Sequence, residues 1–406
     1  MNEDDIYRAS TQYRLWSFTP EKLAALRSST NALATERVKA AKKRVRLARA
    51  QQLSSEKSAP SGDVDANTPK NGGGTAEDGN EVIDCLTVEE ELKIIAYYCQ
   101  QCLSIGPAEP HPMPSSVVGS AIQFIKRFYL SNSPMTYHPK DVMIAALFLV
   151  TKTDNFYIGL DKYVDKINTI TGNKKMTREK VLAPEFLLTQ ALRFTFDVKH
   201  PFKGIRGAYY EMLAMIRGKY ALLPFDERTP DQVAEQFIDL SDAKSKAATE
   251  ARLSKAYNTA QETLNFSALL TDAYLLYTPP QIYLAALLLA DEPLTLLFLD
   301  AKIPSSAPLK PKLLATLRAC ANVLTSINAH DVDRADLVRI DKKLHLCRNP
   351  EKKNLVNLNK AQKRDELVEG KLDDNVAKKR RMEREKNERE GDALFGGALP
   401  AATKTK

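Results

Sequence analysis

Two opposite charges stand where a helical chain would keep apolar residues. The run Val142-Met-Ile-Ala-Ala-Leu-Phe-Leu-Val150 is apolar throughout, and Thr151-Lys152-Thr153-Asp154 closes it. A lysine at the end of an apolar helix is costly to bury unless it is paired. Glu185, directly after Pro184 and ahead of Phe186, Leu187, Leu188 and Leu192, supplies the opposite charge. At the ends of neighbouring buried helices the two can close on each other as a structural ion pair. They can equally offer a donor and an acceptor to a partner's backbone, and the spacing leaves both readings open. Other chemistry has less to stand on. Cys99-x-x-Cys102 has a metal-like spacing, but it falls in a predicted helix and no second such pair follows. His345-x-Cys347 is equally bare, and both read as packing residues. His111, His138, His200, His330 and His345 are scattered. There is no GxxxxGK[ST] phosphate loop and no HExxH, and Gly72-Gly73-Gly74 follows no strand. The expectation is a chain with no catalytic residue, no metal and no cofactor.

The helices that must position Lys152 and Glu185 are visible as a repeat. Tyr137-His-Pro-Lys-Asp-Val-Met-Ile-Ala-Ala-Leu-Phe-Leu-Val150 aligns without gaps on Tyr277-Thr-Pro-Pro-Gln-Ile-Tyr-Leu-Ala-Ala-Leu-Leu-Leu-Ala290. Each copy has proline at a helix start and then an apolar run, and a helix apolar on all sides must be surrounded by others. The second copy continues Asp291-Glu292-Pro293 and has no lysine there. Two similar helical units, each around one buried helix, point to a protein that binds.

Composition narrows the class. A 406-residue chain is long enough for two domains with tails. The two apolar runs are about ten residues each against the roughly 20 that cross a bilayer, so no membrane is expected. The acidic start Met1-Asn-Glu-Asp-Asp5 argues against a secretory signal, and five cysteines without a framework suggest a reducing compartment. Lys and Arg outnumber Asp and Glu by 13 to 10 in residues 1–80, 31 to 30 in 81–350 and 15 to 11 in 351–406. The excess lies in the arms, so a nucleic-acid grip by the folded part is not expected.

Residues 1–50 read as an N-terminal helical arm. Thr19 and Pro20 start a helix with Leu23, Leu26 and Leu33 as its stripe, and a helix-prone basic stretch from Arg37 to Arg49 follows. Residues 51–80 read as a disordered insertion. The first unit spans 81–199, opening with a capping box at Thr87 and Glu90, then helices after Pro114, Pro139 and Asp161, a fifth over 177–194, and an extended exit over 194–198. The second spans 200–330, with helices over 203–220, 230–275 (too long to be unbroken), 279–290 and 306–328. A C-terminal helix at 332–347 lies within 331–350, and 351–406 is a charged, largely disordered tail in which Lys378-Lys379-Arg380-Arg381 resembles a nuclear localisation signal.

Three separated motifs carry a resemblance. Met113-Pro-Ser-Ser-Val-Val-Gly, Lys126-Arg-Phe-Tyr-Leu130, Tyr137-His138-Pro139 and Leu149-Val-Thr-Lys152-Thr-Asp-Asn-Phe156 together look like a first cyclin box. Leu270-Thr-Asp-Ala-Tyr-Leu-Leu-Tyr-Thr-Pro279 resembles a second, and Tyr13-Arg14-x-Trp16-x-Phe18 an N-terminal motif. The resemblance covers about 7–35 and 81–350. Within the cyclin family it is most specific to the cyclin H group, the cyclins of the CDK-activating kinase and general transcription factor IIH. It implies an all-α fold of two tandem five-helix cyclin boxes flanked by N- and C-terminal helices. It further implies a non-catalytic subunit that presses on a kinase's αC helix and orders its activation loop. Carried over by motif, Lys152 and Glu185 would hydrogen-bond that helix's backbone, with Leu149, Thr153, Leu192, Phe194 and Phe196 as the docking floor. Thr153 departs from the large apolar residue many cyclins have after the lysine. Trp16 and Phe18 are expected to pack against the boxes, with a direct kinase contact as the alternative. The first helix, Thr87-Val-Glu-Glu-Glu-Leu92, lacks a substrate-docking MRAIL-like motif. Implied partners are a cyclin-dependent kinase catalytic subunit, a RING-finger assembly subunit and the transcription factor IIH core. Implied substrates are the activation loops of other kinases and the RNA polymerase II C-terminal repeats, and the implied location is the nucleus. A nucleic-acid-binding factor with paired cyclin-like folds, resembling transcription factor IIB, is the alternative.

Overall fold

The computed structural model describes residues 3–57, 83–172, 175–220, 228–238, 243–303, 307–326 and 333–360, and among these every regular element is helical. The arm comprises α1 (Glu3–Ala9), α2 (Thr11–Trp16) and α3 (Pro20–Lys57). Ser10 caps α2 by accepting from the Tyr13 amide. α3 is a single helix that carries the basic stretch and continues through residues 51–57, where the sequence suggested an insertion. No glycine or proline lies between Glu21 and Lys57 to stop it. The rest of that expected insertion lies outside the described residues. Leu23, Ala34, Val38 and Ala41 form the buried stripe of α3. Part of the basic stretch is paired at the surface with the segment around 346–351: Lys42 Nζ donates to Leu346 O at 2.6 Å, and Arg44 pairs with Glu351 at 2.8 Å.

The first unit holds α4 (Val88–Ile105), α5 (Ser115–Phe128), α6 (Pro139–Thr153), α7 (Leu160–Thr171), α8 (Arg178–Leu182) and α9 (Glu185–Ala191). The capping box is formed: the Thr87 amide donates to Glu90 Oε2 at 3.0 Å and the Glu90 amide to Thr87 Oγ1 at 3.2 Å. α6 is buried from Val142 to Thr151, as a helix apolar on all faces requires. Gly172 ends α7 in the left-handed region, φ 62°, which glycine adopts without a Cβ clash. The helix expected over 177–194 is two pieces, because Pro184 has no amide to continue the ladder. Lys166, fully buried on α7, donates to the carbonyls of Gly106, Ala108 and His111 at 2.7–2.8 Å and so pins the loop between α4 and α5.

The second unit holds α10 (Phe202–Ile216), α11 (Pro230–Ala234), α12 (Ala243–Asn265), α13 (Ser267–Leu270), α14 (Ala273–Leu276), α15 (Pro279–Ala290), α16 (Glu292–Lys302) and α17 (Lys310–Leu324). The stretch 230–275 is thus broken several times. α16 was not foreseen: Asp291 caps it by accepting from the Leu294 amide, and Pro293 lies in its first turn. α6 and α15 both start on the proline the repeat shares, yet α15 leaves Leu289 42% exposed, so it is not enclosed on every side. α18 (Arg334–Cys347) packs on α4 and buries Ile340, Leu344 and Cys347.

One seam joins arm and units within residues 1–353. The buried Lys126 of α5 donates to the carbonyls of Leu269 (3.3 Å), Leu270 (3.1 Å) and Thr271, and its ammonium lies 3.9 Å from Asp272. Arg27 of α3 grips the same Asp272 with two 2.8 Å bonds. Residues 354–360 belong to a separate unit.

Candidate partner-docking site

α6 delivers Lys152 in its last turn, and α9 begins with Glu185. Lys152 Nζ lies 2.5 Å from Glu185 Oε1 and 4.4 Å from the Phe148 ring centroid, a cation–π contact. The pair is closed, as the ion-pair reading expects, and its side chains are 40% and 19% exposed.

α9 ends in an unusual way. Arg193 and Phe194 are consecutive non-glycine residues in the left-handed region, φ 53° and 56°. The Phe194 amide bonds back to Thr189 O at 3.1 Å, a helix-terminating wrap usually built on glycine. In a side chain with a Cβ each such residue costs about 1 kcal/mol or more. Strain of this kind persists where the surroundings over-determine it, and it clusters at functional sites. Here it turns Phe194 outward, 64% exposed. The exit from 194 therefore starts as a tight turn, and the chain lacks regular structure from Thr195 to His200.

The arm fastens this exit. Trp16 is 4% exposed; its Nε1 donates to Thr195 Oγ1 at 2.9 Å, and the guanidinium carbons of Arg127 and Arg193 lie 5.2 and 5.8 Å from its ring. Burial draws the Arg127 pKa down to about 10. Gln12 accepts from the Lys199 amide at 2.6 Å. Phe18 is half-buried against the Trp16 cluster, and its amide donates to Leu275 O at 2.8 Å. Both aromatics pack against the two units.

The Cyclin C-terminal domain family matches residues 200–325. Cyclin CCL1 of Saccharomyces cerevisiae is 30% identical over 309 residues, 75% of this chain and 63% of that protein. Cyclin-H of Xenopus laevis is 31% identical over 203 residues, 50% of this chain and 53% of that protein. The match thus spans less than two thirds of either relative. A chain of the CAK complex of Chaetomium thermophilum bound to ATP-γ-S superposes with a TM-score of 0.66 at 32% identity, over 92% of this chain and 99% of that one. The chain belongs to the cyclin family. A chain of the yeast TFIIK (Kin28/Ccl1/Tfb3) complex also superposes on this cyclin, with a TM-score of 0.50 at 27% identity over 78% of this chain and 100% of that one.

The cyclin distributes its expected floor residues unevenly. Leu192 is fully buried and Leu149 is 5% exposed, so both support the surface from beneath and neither can form it. Thr153 is half-buried, its Oγ1 3.2 Å from Asp154 Oδ1. Phe196 is half-buried with its ring 6.0 Å from that of Phe124. The exposed apolar residues that accompany Lys152, Glu185 and Phe194 are Phe186 (64%) on α9, Leu182 (40%) on α8 and Tyr157 (83%) after α6. Helical phase was the signal for Phe186. Leu188 and Leu192, four apart, share the buried face of α9, and Phe186 is about 200° from Leu188 at 100° per residue. Cys99 and Cys102 are core residues whose thiols burial pushes up, Cys99 to about 12. Among the described residues no group of three or more His, Cys, Asp or Glu could hold a metal ion, and no helix is long and apolar enough to cross a membrane.

Proposed function

We propose that this cyclin is the non-catalytic regulatory subunit of a cyclin-dependent kinase and grips the kinase's αC helix with its first box. One observation carries the reading: a solvent-reachable Lys152–Glu185 pair stands at the start of α9, with outward-facing Phe186 next to Glu185 and outward-facing Phe194 past the other end of the helix. Exposed apolar residues around a polar pair mark an interaction surface. On docking, Lys152 donates to helix carbonyls and Glu185 accepts from helix amides, while the aromatics cover the apolar face of the same helix. Fixing αC seats the kinase's Lys–Glu pair on ATP and orders its activation loop. Leu149 and Leu192 act by holding α6 and α9 at their spacing.

The kinship with Cyclin CCL1 and Cyclin-H, and with chains of CAK and TFIIK complexes, supports the specific assignment. It is the cyclin of a CDK-activating kinase working in the nucleus with transcription factor IIH. Its partners are the kinase, a RING-finger assembly subunit and the factor's core, and its substrates are activation loops of other kinases and the RNA polymerase II repeats.

The test is affinity for the purified kinase subunit, with phosphorylation of a polymerase-repeat peptide as second readout. Leaving one charge of a desolvated pair without its partner weakens binding by about two to three orders of magnitude. Lys152→Ala and Glu185→Ala should each do so while thermal unfolding of the isolated cyclin barely moves. Wild-type affinity in both variants would sink the assignment.

A further inference from the structure

We propose that Tyr274, His200, Ser120 and Asp154 form a one-directional hydrogen-bond chain that positions the kinase-facing end of α6. The proposal rests on the docking function above and assigns it residues outside the contact surface. Ser120 Oγ lies 2.6 Å from Asp154 Oδ2 and 3.0 Å from His200 Nε2, and His200 Nδ1 lies 2.9 Å from the Tyr274 hydroxyl. The direction of every bond follows from the first. The Asp154 carboxylate only accepts, so Ser120 must donate its single hydroxyl proton to it. Towards His200, Ser120 then accepts, and the imidazole carries hydrogen on Nε2. A neutral ring has its remaining lone pair on Nδ1, where it takes the Tyr274 proton.

The chain links the two boxes. Ser120 lies on α5, Asp154 is the C-cap of α6, His200 ends the link between the boxes, and Tyr274 lies on α14 in the second box. Ser120 and Tyr274 are 1% and 3% exposed, so water does not substitute for a missing member. The site is shaped for the ring: a Cβ at Gly119 would meet His200 Cε1 at 2.9 Å, and the ring of Phe202 stacks on the imidazole at 5.3 Å. Asp154 stands at a helix C-terminus, where the dipole disfavours a carboxylate. Its oxygens are held by Ser120 and by Thr153 Oγ1. What fixes Asp154 also fixes the last turn of α6, two residues from Lys152.

The charged and titratable groups facing His200 are Arg127 on α5, Asp197 on the link, Tyr274 on α14 and, through Ser120, Asp154. Burial first, then Arg127, draws the His200 pKa down to about 4. Protonation would put a hydrogen on Nδ1 against the Tyr274 hydroxyl and reverse that link. Burial also raises the Asp154 pKa above its ordinary value, so the chain keeps its direction at neutral pH, where Asp154 is ionised and His200 is neutral.

The test uses the full chain. Nitrogen-15 spectra of labelled histidine should place His200 in the Nε2–H tautomer and show it not titrating between about pH 8 and 5. Kinase-subunit affinity should fall about three- to tenfold in Ser120→Ala and in Tyr274→Phe, the share of one hydrogen bond. Leu317→Ala, which opens a cavity in the second box in a cluster that contains none of the four chain residues, should unfold earlier yet bind as wild type. An Nδ1–H tautomer, wild-type affinity in the two chain variants, or equal weakening by Leu317→Ala at matched stability overturns the proposal. Lys152→Ala and Glu185→Ala separate the two claims. If they lose binding while the chain variants do not, only the positioning chain falls; if they too bind as wild type, the docking reading falls with it.

Discussion

Single residues in this cyclin divide by what their side chains reach. Phe186 and Leu188 are near neighbours on α9, yet one is 64% exposed and the other fully buried. Phe186→Ala should weaken kinase capture and leave the thermal midpoint unchanged, whereas Leu188→Ala should cost about 2–5 kcal/mol in denaturant unfolding. Wild-type binding by Phe186→Ala would remove Phe186 from the docking surface. Lys166 is a different case: its ammonium holds three backbone carbonyls, and burial lowers its pKa. Lys166→Met keeps the stem and leaves the carbonyls unpaired, at about 2–4 kcal/mol. Equal stability of the variant would show that water replaces the ammonium. The sequence made Lys152 and Glu185 legible because a charge inside an apolar run is a local anomaly. It could not expose Ser120, Lys126, Lys166 or His200, whose partners lie 34 to 145 residues away and are set by packing.

At the scale of elements, legibility followed local punctuation. Pro114, Pro139, Pro279 and the Thr87–Glu90 box start helices where the sequence placed them. Asp291-Glu292-Pro293 holds the same kind of signal, but the break in the repeat drew the reading elsewhere, and α16 was missed. What attaches one element to another is where sequence has least to say, as α18 shows. Arg339 and Lys343 of α18 reach Glu90 on α4 at 2.7 and 2.9 Å. Burial pushes the Glu90 pKa up, but the Thr87 amide, Lys343 and Arg339 overcome it and hold it at about 2. A folded pKa below the ordinary 4.5 means that this attachment is fully present above about pH 4.5. It is lost as pH falls towards 2. Hydrogen exchange should show residues 334–347 losing protection over that interval before the core of α6 does. Glu90→Gln should loosen them already at neutral pH and flatten the acid dependence. Unchanged protection in Glu90→Gln would mean that the apolar face of Ile340 and Leu344 holds α18 alone.

For the whole molecule, the question is what makes two boxes and an arm behave as one body. The interface is more than apolar contact, because Asp272 is shared by Arg27 of the arm and Lys126 of the first box, and the three carbonyls that Lys126 also holds belong to the second. Arg27 and Lys126 side chains are only 15% and 8% exposed. Such cations are tolerable while the carboxylate is present and become uncompensated without it. Asp272→Asn preserves shape and removes the charge, and it should cost about 3 kcal/mol or more. The loss should fall first on the arm, since the Trp16 cluster includes Leu275, close in sequence to Asp272, and Leu130, close to Lys126. Trp16 is the only tryptophan, so its emission reports the docking of the arm, while circular dichroism reports all the helices, most of which lie in the two boxes. In wild type the two signals should be lost together as denaturant rises, the behaviour of one cooperative body. In Asp272→Asn the emission should shift to the red at lower denaturant, with the helical signal following later. Coincident transitions in the variant, displaced as a pair, would mean that the carboxylate stabilises the body as a whole and that the arm's hold comes from Trp16 and Gln12.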